Sequence, residues 1–278
     1  MRLALGSFLT MLWIGCAAAP LPADAWQSQL RGDTVLLLGE VHDNAEQHRL
    51  RLEVLHRAFA AGWRPAIAME QFDRDRQDGI DQARLERPGD AQHVIDRAAT
   101  PVKVARTGWN WDFYRPFVEL ALHYDVPLVA ANLSNADTSR IVKDGYAAVF
   151  DAPTLAALGL DRPIAAAWQA AQEQEIDAGH CRALPASVWP RMARAQFARD
   201  AVMARLLLEH ADRGVVLLAG NGHARLDLGV PRWLALAPRR LVSIGFLEDG
   251  DEERDAFDEV VRTARAARDD PCAAFRRR

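Results

Sequence analysis

Short, uninterrupted apolar runs alternate along the chain with longer segments in which apolar residues recur every three or four positions. The short runs lack polar alternation, which is typical of strands whose sheet is covered by helices on both faces. The longer segments have the period of amphipathic helices. We therefore predict five strands, at 34–38, 66–69, 127–131, 215–219 and 241–246.

The segment 44–62 gives the clearest helical pattern. Asn44 and Gln47 form a start that resembles a capping box, and Gly62 provides the stop. A strand, a helix of this length and a second strand make a βαβ unit, in which the two strands run parallel. The pattern thus predicts an α/β fold in a single domain, with a mostly parallel sheet and helices on both faces. Further helices are predicted at 111–124, 135–147, 162–177, 188–211 and 252–268, and loops at 84–111 and 177–190.

The first 25 residues differ from the rest of the chain. Thirteen apolar or small residues run from Leu3 to Gly15, too few to span a bilayer but enough for the core of a secretory signal. Cleavage before Cys16 would leave a lipid-modified cysteine, and cleavage before Trp26 would release the protein. We expect an exported protein, periplasmic or attached to the outer membrane through Cys16, with a signal at 1–25 and one domain at 26–278.

Two further cysteines, Cys181 and Cys272, could form a disulfide in an oxidising compartment. Two independent thiols are the alternative, because sequence does not give the distance between them.

The charged residues give no indication of a nucleic-acid partner. The formal net charge is -4, and 34 Lys and Arg are scattered among 38 Asp and Glu instead of forming a basic stripe. We therefore predict a protein that does not bind nucleic acid.

Polar side chains stand where four of the predicted strands end. Glu40 and His42 follow the first strand, Glu70 the second, Asn132 the third and His223 the fourth. Because the carboxyl ends of parallel strands lie at one edge of a sheet, these side chains are expected to meet there. Glu40 and His42 are two positions apart and should share a face. The alternative is that the five residues cap helices or pair with arginines.

Two chemistries suit this set. Glu40, His42 and His223 could hold a divalent metal that activates water. Alternatively, Glu40, His42, Glu70 and His223 could be the catalytic residues of a hydrolase that uses a general base and an orienting partner without metal. The chain contains no HExxH motif and no zinc-type cysteine spacing, so neither chemistry is favoured by a diagnostic motif.

Other residues are candidates for binding a cofactor. Arg199 shares a helical stripe with large apolar residues, and a buried arginine needs a carboxylate, which Glu40 or Glu70 could supply. The aromatic segment 108–117 suits core packing or a wall for a flat apolar ligand, and Tyr114 or Tyr146 could provide an axial oxygen to haem iron. The loop histidine His180 is a further possible ligand, beside Cys181.

Five segments follow one another along the chain: LLGEVHDNAEQHRLRLEVL, AMEQFDRD, AANLS, HCRALP with MARAQFARDAVMA, and LLAGNGHARLDLGVP. In this order and with compatible spacing, they resemble the ChaN family of iron-regulated haem-binding lipoproteins in the Tiki/TraB/erythromycin-esterase-like superfamily. The resemblance implies an α/β protein of haem or iron uptake that binds haem at the interface of a homodimer. Superfamily relatives are hydrolases whose sites resemble 39–42, Glu70 and 220–223. The resemblance adds haem as the expected cofactor, with Tyr114, Tyr146, His180, Arg199 and Asn132 as candidate binding residues.

Overall fold

The computed structural model describes residues 30, 32–99, 108–235, 240–252, 254–270 and 272–273. The predicted signal, including Cys16, lies outside these residues. Within them, six strands form one sheet in which every pair of neighbours is parallel. The strands are β1 (Thr34–Leu38), β2 (Ala66–Asp73), β3 (Leu128–Asn132), β4 (Val215–Leu218), β5 (Arg240–Glu248) and β6 (Glu259–Thr263). Their order across the sheet is β3-β2-β4-β1-β5-β6.

Helices fill the connections between the strands. In the described part of the chain, no helix is both long enough and apolar enough to cross a membrane. The helices are α1 (Ala45–Ala60), α2 (Gln77–Glu86), α3 (Ala91–Ala98), α4 (Trp111–His123), α5 (Asn135–Asp144), α6 (Ala152–Leu158), α7 (Ala166–Gly179), α8 (Trp189–His210), α9 (Asn221–Ala224) and α10 (Val230–Leu234).

Alternate residues of the central strands point into two separate cores. Leu36 and Leu38 of β1 pack with α1, α2, α3 and α4 on one face of the sheet. Val35 and Leu37 pack with α8 and α10 on the other face. This arrangement confirms the predicted α/β class with helices on both faces, and it explains why the strand sequences lack polar alternation.

The structure corrects two predicted segments. The stretch 252–268 contains the short edge strand β6 and not the predicted helix; its charged residues suit the solvated edge of a sheet. Within the predicted loop 84–111 lies α3, whose cap Asp90 accepts a hydrogen bond from the backbone of His93 at 2.9 Å. A helix of eight residues has too few turns to show a clear period in sequence.

The turn after β1 holds the carboxyl edge of the sheet together. A Cβ atom at Gly39 would overlap the side chain of Asn221, which therefore packs directly on the backbone. The Asn221 amide bonds both the N–H and the C=O of Phe246 in β5, at 3.2 and 2.6 Å, and the Asn221 N–H donates to the carbonyl of Glu40. Asn221 thus joins the carboxyl ends of β1, β4 and β5 through its side chain and its backbone.

Candidate functional site

A cleft of about 460 Å³ opens at the carboxyl edge of the sheet. Its walls include Glu40, His42, Glu70 and His223, which the sequence places at three different strand ends. The predicted meeting of these four side chains is confirmed, while their chemical roles stay predictions. The volume is within the usual range for small-molecule sites.

One group of charged residues lies on the α1 and α4 side of the cleft, and we call it the Glu40 cluster (Glu40, His42, His48, Arg51 and Tyr114). The Glu40 carboxylate is buried and forms an ion pair with Arg51. Arg51 is fully buried and also donates to the carbonyl of Leu38 at 3.0 Å. Tyr114 donates its hydroxyl proton to Glu40 Oε1 at 2.6 Å. The buried carboxylate is thus neutralised by a cation and held by a phenol.

His42 is the exposed member of the Glu40 cluster. Its Nδ1 lies 2.8 Å from Glu40 Oε1, while 48% of its side chain is open to solvent. The ring meets Trp109 edge to face, with centroids 4.9 Å apart. A Cβ atom at Gly220 would lie 2.9 Å from Cε1 and 3.1 Å from Nε2 of His42, so the Gly220 backbone packs beside this part of the ring. The carboxylate fixes Nδ1, and Nε2 has no hydrogen-bond partner among the described residues.

His48 is the buried histidine of the same cluster. Its Nε2 lies 3.0 Å from the carbonyl of His42, and its Nδ1 lies 3.3 Å from Glu40 Oε2. Burial outweighs the hydrogen bond to the His42 backbone and lowers the pKa of His48 to about 4. Burial likewise raises the pKa of Tyr114. At neutral pH both side chains are uncharged.

A second group lies on the α8 and α9 side, and we call it the His223 cluster (Glu70, Asp200 and His223). His223 Nδ1 is 2.5 Å from Asp200 Oδ1, and Nε2 is 3.4 Å from Glu70 Oε1. Glu70 Oε2 accepts a hydrogen bond from the Gly220 N–H at 2.8 Å. The imidazole is therefore held between two buried carboxylates.

The electrostatics of this cluster favour a charged imidazole. Burial alone would lower the pKa of His223, but Glu70 and Asp200 outweigh it and raise the pKa to about 10. Burial would raise the pKa of Glu70, yet the attraction of His223 holds it well below its usual range. For Asp200, burial prevails and the pKa is raised. His223 is thus an imidazolium at neutral pH, held between Glu70 and Asp200.

The prediction that Arg199 pairs with Glu40 or Glu70 is wrong. Arg199 is half-buried and donates to Asn132 at 3.1 Å and to Asn135 at 3.4 Å. Neither Arg199 nor Asn132 is among the residues that line the cleft. The carboxylate of Glu40 instead takes Arg51 from α1, on the opposite face of the sheet.

The haem-ligand candidates lie in three different surroundings. Tyr114 is fully buried and bound to Glu40, so iron would reach it only if that hydrogen bond broke. Tyr146 is half-buried after α5, and burial raises its pKa to about 12. His180 Nδ1 is 2.7 Å from the carbonyl of Ile176. Their ligand roles stay predictions.

A disulfide joins Cys181 to Cys272, with Cα atoms 5.5 Å apart. Of the two alternatives for these cysteines, the structure contains the bridge. It connects the loop between α7 and α8 to the segment that follows β6, 91 residues later.

The divalent-metal interpretation has no support in the described residues, where no group of three or more His, Cys, Asp or Glu side chains is arranged to hold a metal ion. Two of the three predicted ligands are already engaged. Glu40 is paired with Arg51, and His223 lies between two carboxylates. A protonated imidazole has no lone pair to offer a cation.

Sequence reasoning missed Arg51, His48 and Asp200. Arg51 stands one and two turns away from apolar residues on the buried face of α1, which could have revealed it. Asp200 likewise lies on the buried face of α8 between Phe197 and Met203. A charged residue on an apolar helical face is the signal that would have found both.

Comparisons with known proteins identify the family and the fold of the chain. The family model described as "Haem-binding uptake, Tiki superfamily, ChaN" matches residues 26–234. The solved structure "Cofacial heme binding to ChaN of Campylobacter jejuni" has the same fold, with a TM-score of 0.64 and 16% identity over 85% of this chain and 90% of that one. An erythromycin esterase mutant in its open conformation matches with a TM-score of 0.44 and 15% identity, over 78% of this chain and 70% of the other. No protein of curated function matches the chain. The chain belongs to the ChaN family of haem-binding uptake proteins in the Tiki superfamily.

Proposed function

We propose that this protein binds haem outside the cytoplasm as a step of haem or iron uptake, and that the haem lies between two copies of the chain. Family membership over residues 26–234 is the observation that carries this proposal. Haem requires an accessible donor atom beside an apolar, preferably aromatic, surface. The half-exposed imidazole of His42 contacts the indole of Trp109 directly and offers a donor atom beside an aromatic surface.

Export is supported by two features of the chain. The apolar segment 3–15 has the length of a secretory signal core. The Cys181–Cys272 bridge suits an oxidising compartment, where disulfides form and persist. Cleavage before Cys16 would add a lipid anchor, and mass spectrometry of the mature protein from a membrane fraction would distinguish this from cleavage before Trp26.

A dimer interface at the haem is supported by the openness of the site. His42 faces solvent, so a haem bound there by one copy would leave its second face in water. A second copy would cover that face and bury apolar surface. Sedimentation velocity with and without haemin tests this, and a haem-loaded protein that sediments as a monomer would contradict it.

The experiment that tests haem binding is a haemin titration of the purified mature protein. We expect a shifted Soret band, a sharp end point and a fixed ratio of haem to chain. Titration of the protein with the cleft blocked by a bulky side chain, Gly222→Trp, is the matched control, because a Cβ at Gly222 meets no other atom within 4 Å. Absence of a shifted band and of an end point in the unmodified protein would refute the proposal.

The pairing of Glu40 with His42 favours hydrolysis as a second candidate function. A carboxylate at Nδ1 with a free Nε2 in a cleft is the arrangement of a general base that takes a proton from water. His223 adds a fixed positive charge to the same cleft. A panel of small esters and peptides tests this, and turnover that persists in both His42→Ala and His223→Ala would exclude these residues as its source.

A further inference from the structure

We infer that the Cys181–Cys272 disulfide is a redox-sensitive clasp, and that its reduction by a protein dithiol releases the segment 264–270 from the turn that carries His42. We call this segment the C-terminal strap; it follows β6 directly and leads to Cys272. In an oxidising compartment the clasp is closed until such a dithiol opens it. The inference concerns the control of the cleft and holds whichever ligand the cleft binds.

The C-terminal strap lies against the turn between β1 and α1. Nε of Arg268 pairs with the carboxylate of Asp43, the residue after His42, at 2.9 Å. The side-chain amide of Asn44, which caps α1, donates to the carbonyl of Ala264 at 3.0 Å. The strap thus contacts the two residues that follow His42, and through them it restricts the backbone that positions the imidazole.

Glu248, at the end of β5, links the strap to the same turn a second time. Its side chain is buried, and its carboxylate accepts from the Ala266 N–H and from the Asn44 amide, each at 2.8 Å. It also pairs with Arg268. Burial would raise the pKa of Glu248, yet these contacts hold it below its usual range. Release of the strap would remove two of these partners and so disturb the carboxylate that holds Asn44.

The strap has few other means of staying in place. Six of its seven residues are exposed, and Ala266 is half-buried. It contributes no side chain to the apolar cores of the described residues. Ion pairs at the surface contribute little to stability, whereas a disulfide constrains the chain strongly. Opening the bridge should therefore release the strap and leave the sheet intact.

The other end of the bridge lies in a loop with a strained backbone. Cys181 and Arg182 have φ angles of 59° and 54°, in the left-handed region that residues other than glycine rarely adopt. The loop follows α7, which carries Glu175 into the wall of the cleft, where it pairs with Arg225 at 3.0 Å. The bridge thus joins this wall to the turn of His42, and the loop can relax once the bridge opens.

Both cysteines are half-exposed, so the thiolate of a protein dithiol can reach the bridge. The thiolate attacks Sγ of Cys272, the bond between the two sulfurs breaks, and Cys181 leaves as a thiolate, which the neighbouring charge of Arg182 favours. The second thiolate of the dithiol then attacks the mixed disulfide and releases Cys272. The dithiol is oxidised by two electrons to its own disulfide, and its two protons pass to Cys181 and Cys272.

Hydrogen exchange followed by mass spectrometry tests the inference on the mature protein, oxidised and after treatment with dithiothreitol or a thioredoxin. We expect two new thiols per chain, with faster exchange in 264–270 and in 41–48, while β1, β2 and β4 keep their protection. The double variant Cys181→Ser, Cys272→Ser should show the reduced pattern without reductant and should not respond to it. Arg268→Gln, which keeps the bridge, should loosen the strap less than reduction does.

Each contrary result overturns a distinct part of the inference. If 264–270 exchanges equally before and after complete reduction, the bridge does not hold the strap. If the strap is released while 41–48 keeps its protection, the link to the turn of His42 is wrong. Loss of protection throughout the sheet, or thiols that appear only in denaturant, would show that the bridge maintains the fold and is not a clasp. An effect of Arg268→Gln as large as that of reduction would assign the restraint to the ion pairs.

Discussion

The Glu40 cluster and the His223 cluster both hold buried carboxylates beside a histidine at the same edge of one sheet, but a different residue supplies the cation in each. In the first, Arg51 supplies the cation, and His42 keeps Nε2 unpaired. In the second, no arginine is bonded to Glu70 or Asp200 among the described residues, and His223 becomes the cation itself. A histidine next to buried carboxylates is free to act only where another residue has already neutralised the charge.

From this comparison we predict that replacing Arg51 causes the largest loss of stability. In Arg51→Met the Glu40 carboxylate stays buried without its cation, and breaking such a pair costs about 3–5 kcal/mol. Arg49→Met on the same helix is the matched control, because Arg49 pairs with Glu46 and Glu53 at the surface, where a pair contributes about 0–1 kcal/mol. Urea unfolding measures both. Equal losses would show that the Glu40 cluster does not depend on its buried cation.

We expect the next largest loss of stability when the Cys181–Cys272 disulfide, which links the two sides of the cleft, is removed. The segment after β6 contacts the start of α1 through Arg268 and Asp43 at 2.9 Å, and four residues later Cys272 is bridged to the loop before α8. Cys272→Ser should lower the free energy of unfolding by about 2–4 kcal/mol. The same loss should appear when the unmodified protein is unfolded with a dithiol reductant. If reductant destabilises Cys272→Ser as much as the unmodified protein, the bridge is not the cause.

Asp200→Asn should have a smaller effect, with a distinctive titration. The amide can still accept from His223, but one of the two carboxylates that charge the imidazole is removed, at a cost of about 1–3 kcal/mol. The pKa of His223 should fall from about 10 towards its usual value. Glu209→Gln, at an exposed pair on the same helix, is the control. An unchanged His223 titration, followed by NMR of its ring protons, would show that Glu70 alone maintains the charge.

We also predict a fall in stability on both sides of neutral pH. The pKa of His223 is raised above the ~6.5 of an unfolded histidine, so its contribution is complete below pH 6.5 and is lost as the pH rises to about 10. The pKa of His48 is lowered to about 4, so stability also falls as the pH drops from 6.5 towards 4. Thermal unfolding across this range measures both limbs. Asp200→Asn should flatten the alkaline limb and leave the acid limb in place.

Much of the fold could be predicted because its central strands are buried on both faces. Such strands leave continuous apolar runs in the sequence, and the parallel topology then brings Glu40, Glu70 and His223 to one edge. The edge strand β6 could not be found in this way. Its residues alternate between buried and solvated positions and carry charge, a pattern that a surface helix shares.

The residues that make up the site could be predicted only in part, and the reason is a different one. Strand-end residues are placed by topology, whereas Arg51 and Asp200 enter from the buried faces of α1 and α8, and their partners depend on how those helices pack. The buried arginine that pairs with a carboxylate is Arg51 and not the predicted Arg199, which packing leaves half-buried against Asn132. Pair assignments across elements therefore require the structure.

The most direct test of the account is the position of iron in crystals of the haem-loaded protein, from anomalous diffraction at the iron edge. We predict one iron peak per chain, at an interface between two copies of the chain. An iron peak that only one copy of the chain contacts would contradict the proposed dimer interface. Crystals grown with excess haemin that show no iron peak would contradict haem binding itself.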